Sequence, residues 1–161
     1  MKKIFIVLMS IFLLASTACA NGNSKETISS DKGELSDMKI SIQITSDSGN
    51  HKLTATLADN SSATAFYELL KKGPLTVDMH DYGNFEKVGP LPWKVPTNDE
   101  QITTVPGDII LYQGDKITIY YGENSWNFTK LGHIDGVTSD ELLEAMGSGD
   151  VTVRFWNEWS E

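Results

Sequence analysis

The alternation of apolar and polar residues along the chain predicts a domain built mainly from β-strands. In KISIQI, at residues 39–44, every second residue is an isoleucine, and HKLTATL, at residues 51–57, alternates in the same way. The turn-forming cluster SDSGN lies between the two segments. Because alternation with a period of two buries one face of a strand, these segments predict a β-hairpin with one apolar face.

Further strands are predicted at LTVDMHDY (75–82), DIILY (108–112) and KITIYY (116–121), which are rich in β-branched and aromatic residues. The last two segments are joined by the short turn QGD. An aromatic-rich segment, ENSWNFTKL (123–131), follows as a return strand, and VTVRFW (151–156) closes the domain with its odd-numbered residues on one face.

Two segments have the signals of short helices. In DNSSATAFYELLKKG (59–73), Asn60 or Ser61 can cap the start and Gly73 ends the helix. In SDELLEAMGSG, Ser139 is the predicted cap and Gly147 the predicted end. About seven or eight strands with only two short helices indicate a closed or nearly closed barrel, because closure removes exposed strand edges.

The N-terminal 20 residues have the layout of a secretory signal peptide: two lysines, an apolar run, then small residues. Their Cys19 is the only cysteine of the chain. LLASTAC resembles a bacterial lipobox, in which the cysteine is diacylated and becomes the mature N-terminus. Ala18-Cys19-Ala20 also fits the A-x-A cleavage site of a soluble secreted protein. We favour the lipoprotein, because a lone cysteine at this point has no other evident use.

Residues 21–37 are polar, rich in Ser and Gly and mixed in charge. Such a segment buries too little apolar surface to order itself, so a flexible tether is predicted. The folded domain then spans residues 38–161. The predicted location is outside the cytoplasmic membrane, with the domain anchored to that membrane through Cys19 alone.

The formal net charge of the chain is −9 at pH 7. An acidic protein lacks the basic footprint that nucleic-acid binding needs, and it is not suited to docking directly on anionic lipid. The expected partner is therefore a small molecule, a peptide or another protein, and we expect a monomer.

Three motifs between Asn84 and Ile134 resemble the bacterial cyclophilin-like domain. They are LP at 91–92, PGDIILYQG at 106–114 and YGENSW at 121–126. The resemblance covers roughly Met38 to Trp156. It implies a closed eight-stranded, mainly β barrel whose open ends are covered by two short helices, which agrees with the strand count above. It implies no particular function, because a fold alone does not define one.

The resemblance to cyclophilins raises the question of peptidyl-prolyl isomerase activity. That activity depends on an arginine in a Phe-His-Arg context on an internal strand. Here His80 is followed by Asp81, and the only arginine, Arg154, is on the last predicted strand. The catalytic arginine therefore cannot be carried onto any position of this chain, and no catalytic residue is assigned.

Asp78, His80 and Asp81 form the densest group of possible metal ligands. Strand alternation places Asp78 and His80 on one face and Asp81 on the other. Two ligands make a weak site, so neither a metal nor another cofactor is expected.

The aromatic residues near the centre of the chain divide by strand parity. Ile117, Ile119 and Tyr121 share one face, so Tyr121 is predicted to point into the barrel and Tyr120 outward. Most of these aromatics are predicted to be ordinary packing.

The Gly- and Pro-rich passage from Gly83 to Pro106 is predicted to be a long loop. A stiff loop with a large aromatic residue can form one wall of a cleft, and polar side chains near it can orient a ligand. The candidate ligand-binding residues are Glu86, Leu91, Pro92, Trp93, Asn98 and Gln113. Three functions remain open: a binding module without enzymatic activity, an isomerase or other enzyme that uses the cleft, and a protein-interaction domain.

Overall fold

The structure is a computed structural model, and it describes residues 38–158 and residue 160. The predicted signal peptide, the tether and Cys19 lie outside the described residues. Nine strands and two helices follow one another along the described chain. They are β1 (Lys39–Ser46), β2 (Gly49–Leu57), α1 (Ser61–Leu70), β3 (Leu75–Tyr82), β4 (Glu86–Pro90), β5 (Glu100–Thr103), β6 (Asp108–Tyr112), β7 (Lys116–Tyr120), β8 (Ser125–Ile134), α2 (Ser139–Met146) and β9 (Val151–Trp156).

Eight of these strands close into an antiparallel barrel. Their order is β2-β1-β9-β3-β4-β7-β6-β8, and β8 pairs with β2 to complete the ring. The predicted closed eight-stranded barrel with two short helices is therefore confirmed. The ninth strand, β5, pairs only with the first part of β8 and is an addition to the barrel.

The closing contact between β2 and β8 depends on Gly132. This residue pairs with Leu57 of β2 and with Ile109 of β6, next to an irregularity in the β6–β8 register. A Cβ atom at Gly132 would lie 2.6 Å from the carbonyl oxygen of Thr56. The strands can come this close only because the residue has no side chain.

The inward faces of the strands form the main core. Ile109, Leu111, Ile117 and Ile119 are all fully buried on β6 and β7, as their alternation predicts. Val153 and Phe155 of β9 are also fully buried. The alternation in the sequence thus identified the core side of these strands correctly.

The helix starts agree with the sequence in one case and correct it in the other. Asn60 caps α1, and its side-chain oxygen accepts a hydrogen bond from the backbone N–H of Ala63. The cap of α2 is Thr138 and not the predicted Ser139. Thr138 and Glu141 form a reciprocal capping box, which satisfies two backbone N–H groups at once.

The passage from Gly83 to Pro106 is not one long loop, which corrects the prediction. It contains β4, which belongs to the barrel, and the additional strand β5. Gly83 and Asn84 both have positive φ angles in the turn that joins β3 to β4. Residues of these two types adopt such angles at low cost, so the chain can reverse direction there.

One lysine points into the barrel. Lys87 is fully buried, and its Nζ atom lies 2.9 Å from Oδ2 of Asp81 and donates to the carbonyl oxygens of Gly147 and Gly149 at 3.3 and 2.7 Å. The Tyr121 hydroxyl donates to the same Asp81 oxygen at 2.6 Å. We call Asp81, Lys87 and Tyr121 the inner polar cluster. It connects β3, β4 and the residue that follows β7 to the segment between α2 and β9.

Partial burial by itself would raise the pKa of Asp81. The hydrogen bond from Tyr121 and the ion pair with Lys87 together outweigh burial and hold that pKa below its ordinary value.

Within the part of the chain that the structure describes, we find no helix that is both long enough and apolar enough to cross a membrane.

Candidate functional site

A pocket of about 420 Å³ lies on the outer face of the barrel. We call it the outer pocket. Four barrel strands and the first part of β8 supply nearly all of its lining. The lining residues are His80, Tyr82, Glu86, Val88, Tyr112, Lys116, Tyr120, Asn124, Trp126 and Phe128.

Strand register explains why these side chains meet. Glu86 of β4 lies between Tyr82 of β3 and Tyr120 of β7, its direct cross-strand partners. Two residues further along β4, Val88 lies between His80 and Thr118 in the same way. Residues two apart on a strand share a face, so both rows point away from the main core, and all of their residues except Thr118 line the floor of the outer pocket.

The wall of the pocket comes from β8. Its residues Ser125–Phe128 pair with β5, whereas the residues from Thr129 onward pair with β6 in the barrel. Trp126 and Phe128 therefore belong to a ribbon formed with β5. Phe128 packs on the floor residue Tyr120, with ring centroids 5.7 Å apart.

The floor contains a small hydrophobic cluster of its own. Ile110, Tyr120 and Phe128 are buried there, separate from the main core, with Phe85 and Tyr112 packed against them. Strand alternation predicted that Tyr121 faces the main core and Tyr120 faces outward. The structure agrees, because Tyr121 packs against the main core and Tyr120 belongs to the separate outer cluster. Tyr120 is nevertheless buried, because the β5–β8 ribbon and Phe85 cover the outer face of the sheet at this point.

Among the described residues, two buried side-chain polar atoms have no hydrogen-bond partner. They are Oε2 of Glu86, which lines the pocket and is 8% exposed as a residue, and Oγ1 of Thr118, which does not line the pocket. A buried polar atom without a partner costs about 1–3 kcal/mol, and native structures rarely leave one without a reason. The outer pocket therefore has a strong unused acceptor at its base.

Burial raises the pKa of Glu86, and polar contact with Tyr120 offsets this only in part. The pKa of Tyr120 is raised well above its ordinary value, first by burial and then by the neighbouring Glu86. The carboxyl of Glu86 is thus held in a place where its charge is poorly stabilised.

Lys116 is the only lysine of the described chain that lines the outer pocket. Its Nζ atom lies 3.0 Å from Oδ1 of Asp115 and 3.4 Å from Oε1 of Gln113, which hold it toward the β6–β7 turn. Among the ion pairs formed within the described residues, none includes Glu86. The acid at the base of the pocket therefore lacks a counter-charge from the described part of the protein.

The mouth of the pocket has exposed aromatic side chains. Tyr82 is 59% exposed and Trp126 is 60% exposed. Large aromatic residues are enriched at binding surfaces, since they bury much apolar area while they lose few rotameric degrees of freedom. Their position at the mouth extends the apolar surface of the outer pocket into the solvent.

Of the six candidate residues predicted from the sequence, only Glu86 lines the outer pocket. Leu91 is 7% exposed and belongs to the main core. Asn98 is engaged at the start of α1, where its Oδ1 accepts from the backbone N–H of Ser62 at 3.0 Å and from the Ser61 hydroxyl at 2.8 Å.

The other three candidates lie along the loop after β4 and the turn it contacts. Trp93 is half-buried and packs against the main core, and Pro92 beside it is exposed. Gln113 is exposed in the β6–β7 turn with a φ angle of 55°. The structure does not bring these residues together with Glu86 around one cavity. Ligand binding by this set of residues stays a prediction.

Sequence reasoning did not select the nine other lining residues as a site. The signal that points to them is strand parity, since the residues at even positions from Lys116 to Tyr120 and from Glu86 to Val88 share the outer face. Parity gives the face of each strand but not which strands are neighbours. The closeness of β4, β7 and the β5–β8 ribbon is a property of the three-dimensional fold.

Of the possible metal ligands Asp78, His80 and Asp81, only His80 lines the outer pocket. Asp78 accepts a hydrogen bond from the Thr152 hydroxyl at 2.8 Å. The guanidinium of Arg154 stacks on the ring of Trp156 at 4.7 Å and does not line the pocket. No group of three or more metal-ligating side chains is found among the residues that the structure describes.

The closed barrel and its outer pocket define a small cyclophilin-type β-barrel domain. The sequence matches the Cyclophilin-like family over residues 46–156. The chain belongs to that family, as the resemblance in the sequence suggested. A comparison with curated protein sequences finds no significant match.

Several solved structures share the fold, and two of them are McbB and the protein AF2241. McbB, solved in complex with tryptophan, aligns with a TM-score of 0.55 and 18% identity over 76% of this chain and 45% of its own. The chain thus spans less than half the length of McbB. The hypothetical protein AF2241 from Archaeoglobus fulgidus aligns with a TM-score of 0.52 and 16% identity over 76% of this chain and 97% of its own. At these identities the likeness concerns the fold alone.

Proposed function

We propose that this protein is a binding module, anchored by lipid outside the cytoplasmic membrane, that takes a small organic molecule into the outer pocket. One observation carries the proposal. Oε2 of Glu86 has no hydrogen-bond partner although its side chain is 8% exposed, and it lies at the base of an aromatic-lined pocket. A ligand that donates a hydrogen bond there would remove the cost of leaving that acceptor unpaired.

The size and lining of the pocket support a small ligand. A volume of about 420 Å³ lies within the roughly 300–1,000 Å³ typical of small-molecule sites. Half of the ten lining residues are Phe, Tyr or Trp, and large aromatic side chains are common in the lining of such sites. An aromatic or other flat apolar group could pack on Tyr120, Trp126 and Phe128 while a donor group reaches Glu86.

Binding is favoured over prolyl isomerisation because the residue that this reaction needs is missing from the pocket. The chain's only arginine, Arg154, is on β9 and stacks on Trp156. Lys116 lacks the planar fork of a guanidinium, and it already interacts with Asp115 and Gln113.

The location is proposed from the N-terminal sequence. The signal-like residues 1–20, with Cys19 in a lipobox-like context, support export and lipid anchoring. A tether of residues 21–37 would let the domain sample ligands near the membrane surface.

An NMR titration of the purified protein with indole tests where a ligand binds. Indole is a sensible first probe because the related fold of McbB was solved with tryptophan. We expect saturable shifts at Tyr120, Trp126 and Phe128. Trp126→Ala should weaken binding, because this side chain lines the pocket and is largely exposed, so the change should leave the fold intact.

Trp93→Ala is the matched control, since it removes the same side chain from a position that does not line the outer pocket. Shifts centred on Trp93 and Gln113 would place the site at the loop after β4 instead. The absence of saturable shifts at every aromatic residue would reject a small-molecule pocket, and a protein partner on the exposed Tyr82 and Trp126 would become the better hypothesis.

A further inference from the structure

We propose that the outer pocket selects ligands that carry a protonated amine, with Glu86 as the counter-charge. This inference rests on the proposed function and makes it specific. It names the chemical class of the ligand and the atom that recognises it, Oε2 of Glu86.

The Glu86 carboxylate has a polar contact with the uncharged Tyr120 hydroxyl but no cation beside it within the described chain. Removing a carboxylate from water is costly unless an opposite charge or hydrogen bonds replace the water. Lys87 is next to Glu86 in the sequence, but alternation turns it to the opposite side of β4, where it pairs with Asp81 at 2.9 Å. Lys116, on the pocket rim, pairs with Asp115 at 3.0 Å. Within the described chain, neither neighbouring lysine neutralises Glu86.

The aromatic walls of the outer pocket also favour a cation. Tyr82, Tyr120 and Trp126 line the same pocket as Glu86, together with Phe128. The faces of aromatic rings attract cations, and this attraction strengthens when the cation is removed from water. A buried carboxylate surrounded by aromatic rings is suited to an organic ammonium group, whose apolar body can contact the rings.

Anionic and neutral ligands fit the outer pocket less well than a cation. An anionic ligand would place a second negative charge beside Glu86, and like charges in a desolvated site repel strongly. A neutral alcohol can donate one hydrogen bond to Oε2 but leaves the buried charge uncompensated. The formal charge of −9 also raises the local concentration of cations around the protein.

Three probes of similar size and different charge test the inference. They are 2-phenylethylamine, 2-phenylethanol and 3-phenylpropionate, measured by isothermal titration calorimetry on the full protein at neutral pH. We expect the amine to bind at least about tenfold more tightly than the alcohol, and the acid to bind most weakly. Glu86→Gln should remove the preference for the amine, so that the amine and the alcohol bind with similar affinity.

Glu123→Gln is the matched control, because it removes the same charge from an exposed position close to Asn124 of the pocket. It should keep the preference for the amine, which separates a local ion pair from general attraction to an acidic protein. Equal affinity for amine and alcohol in the wild-type protein would overturn the inference and leave the proposed function standing. Failure of all three probes to bind would count against both.

Discussion

Glu86 and Tyr120 lie directly opposite each other on β4 and β7, on the outer face of the barrel. Both side chains are buried, although their strand parity turns them away from the main core. Residues at such positions usually face water. Here the β5–β8 ribbon covers them, so a carboxyl group ends up at the base of an aromatic pocket with one oxygen unpaired.

Glu86→Gln should raise the free energy of unfolding at neutral pH, by about 1 kcal/mol. A carboxyl whose pKa is raised on folding contributes stability below its ordinary pKa of 4.5 and loses it as the pH rises through the raised value. The amide has no charge to desolvate, so the advantage of the variant should appear above about pH 4.5 and grow until the raised pKa is passed. Urea unfolding at several pH values measures this.

The same series on Glu123→Gln provides the comparison, because Glu123 is exposed. It should show little pH-dependent change. If Glu86→Gln destabilises the protein at pH 7 and above, the carboxylate must be well compensated in the folded state. The outer pocket would then lack its unsatisfied acceptor.

Lys87→Met should destabilise the protein by about 1–3 kcal/mol at neutral pH, because it removes the cation that pairs with Asp81 and the donor to the carbonyl oxygens of Gly147 and Gly149. The pKa of Asp81 is lowered in the folded state, so its contribution is complete above its ordinary value of 3.8 and is lost as the pH falls through the lowered one. The difference between variant and wild type should therefore shrink in acid. Denaturant unfolding between pH 7 and pH 3 tests both parts.

Lys39→Met is a suitable control for that experiment. Lys39 also forms an ion pair, with Asp135 at 3.3 Å, but its side chain is 60% exposed. An exposed pair contributes about 0–1 kcal/mol, so this change should have a small effect. Similar losses of stability at positions 39 and 87 would show that burial of Lys87 does not increase the contribution of its ion pair with Asp81.

Ile119→Ala should cost about 2–5 kcal/mol, because it empties a fully buried site in the barrel core. Trp93→Ala should cost less, since Trp93 is half-buried on a loop. Thermal or urea unfolding of the two variants compares them. Equal losses would mean that Trp93 is a full member of the core.

Lipid anchoring predicts a diacylated N-terminal Cys19 in the membrane fraction, which intact-mass analysis can detect. Cys19→Ser should release the protein or leave it unprocessed, because only the thiol can accept the lipid. A mature form that starts at Asn21 in the soluble fraction would instead identify cleavage after Ala20 and contradict the lipoprotein.

Strand parity correctly predicted which faces of β6 and β7 pack in the main core. Ile117 and Ile119 alternate with polar residues, and both are fully buried where the alternation placed them. Parity could not predict that Tyr120 is buried as well, because burial on the outer face depends on β5. The sequence around β5 has only four strand residues, Glu100–Thr103, and too little pattern to reveal it.

The strand β4 was missed because Gly89 and Pro90 read as loop residues. Position 89 of the strand requires glycine, because a Cβ atom there would lie 2.6 Å from the carbonyl oxygen of Asp78 on β3. The Gly83-Asn84 pair before β4 is a recognised hairpin signal and would have indicated the strand.

The candidate site was only partly predictable for the same reason. Glu86 was selected as a polar residue near a supposed cleft, but its neighbours across the sheet, Tyr82 and Tyr120, follow from the register of β4. Because β4 was not predicted as a strand, the predicted long loop from Gly83 to Pro106 was the expected wall of the cleft. In the structure, its Leu91 packs into the main core instead.

The pKa of Glu86, measured by NMR from its side-chain carboxyl carbon with and without 2-phenylethylamine, tests the central claim most directly. We expect a pKa above the ordinary value in the free protein, because burial disfavours the charged form. Saturating amine should lower it, because the ligand's positive charge stabilises the carboxylate, while 2-phenylethanol should lower it much less. A Glu86 that titrates at its ordinary pKa and does not respond to the amine would contradict the account.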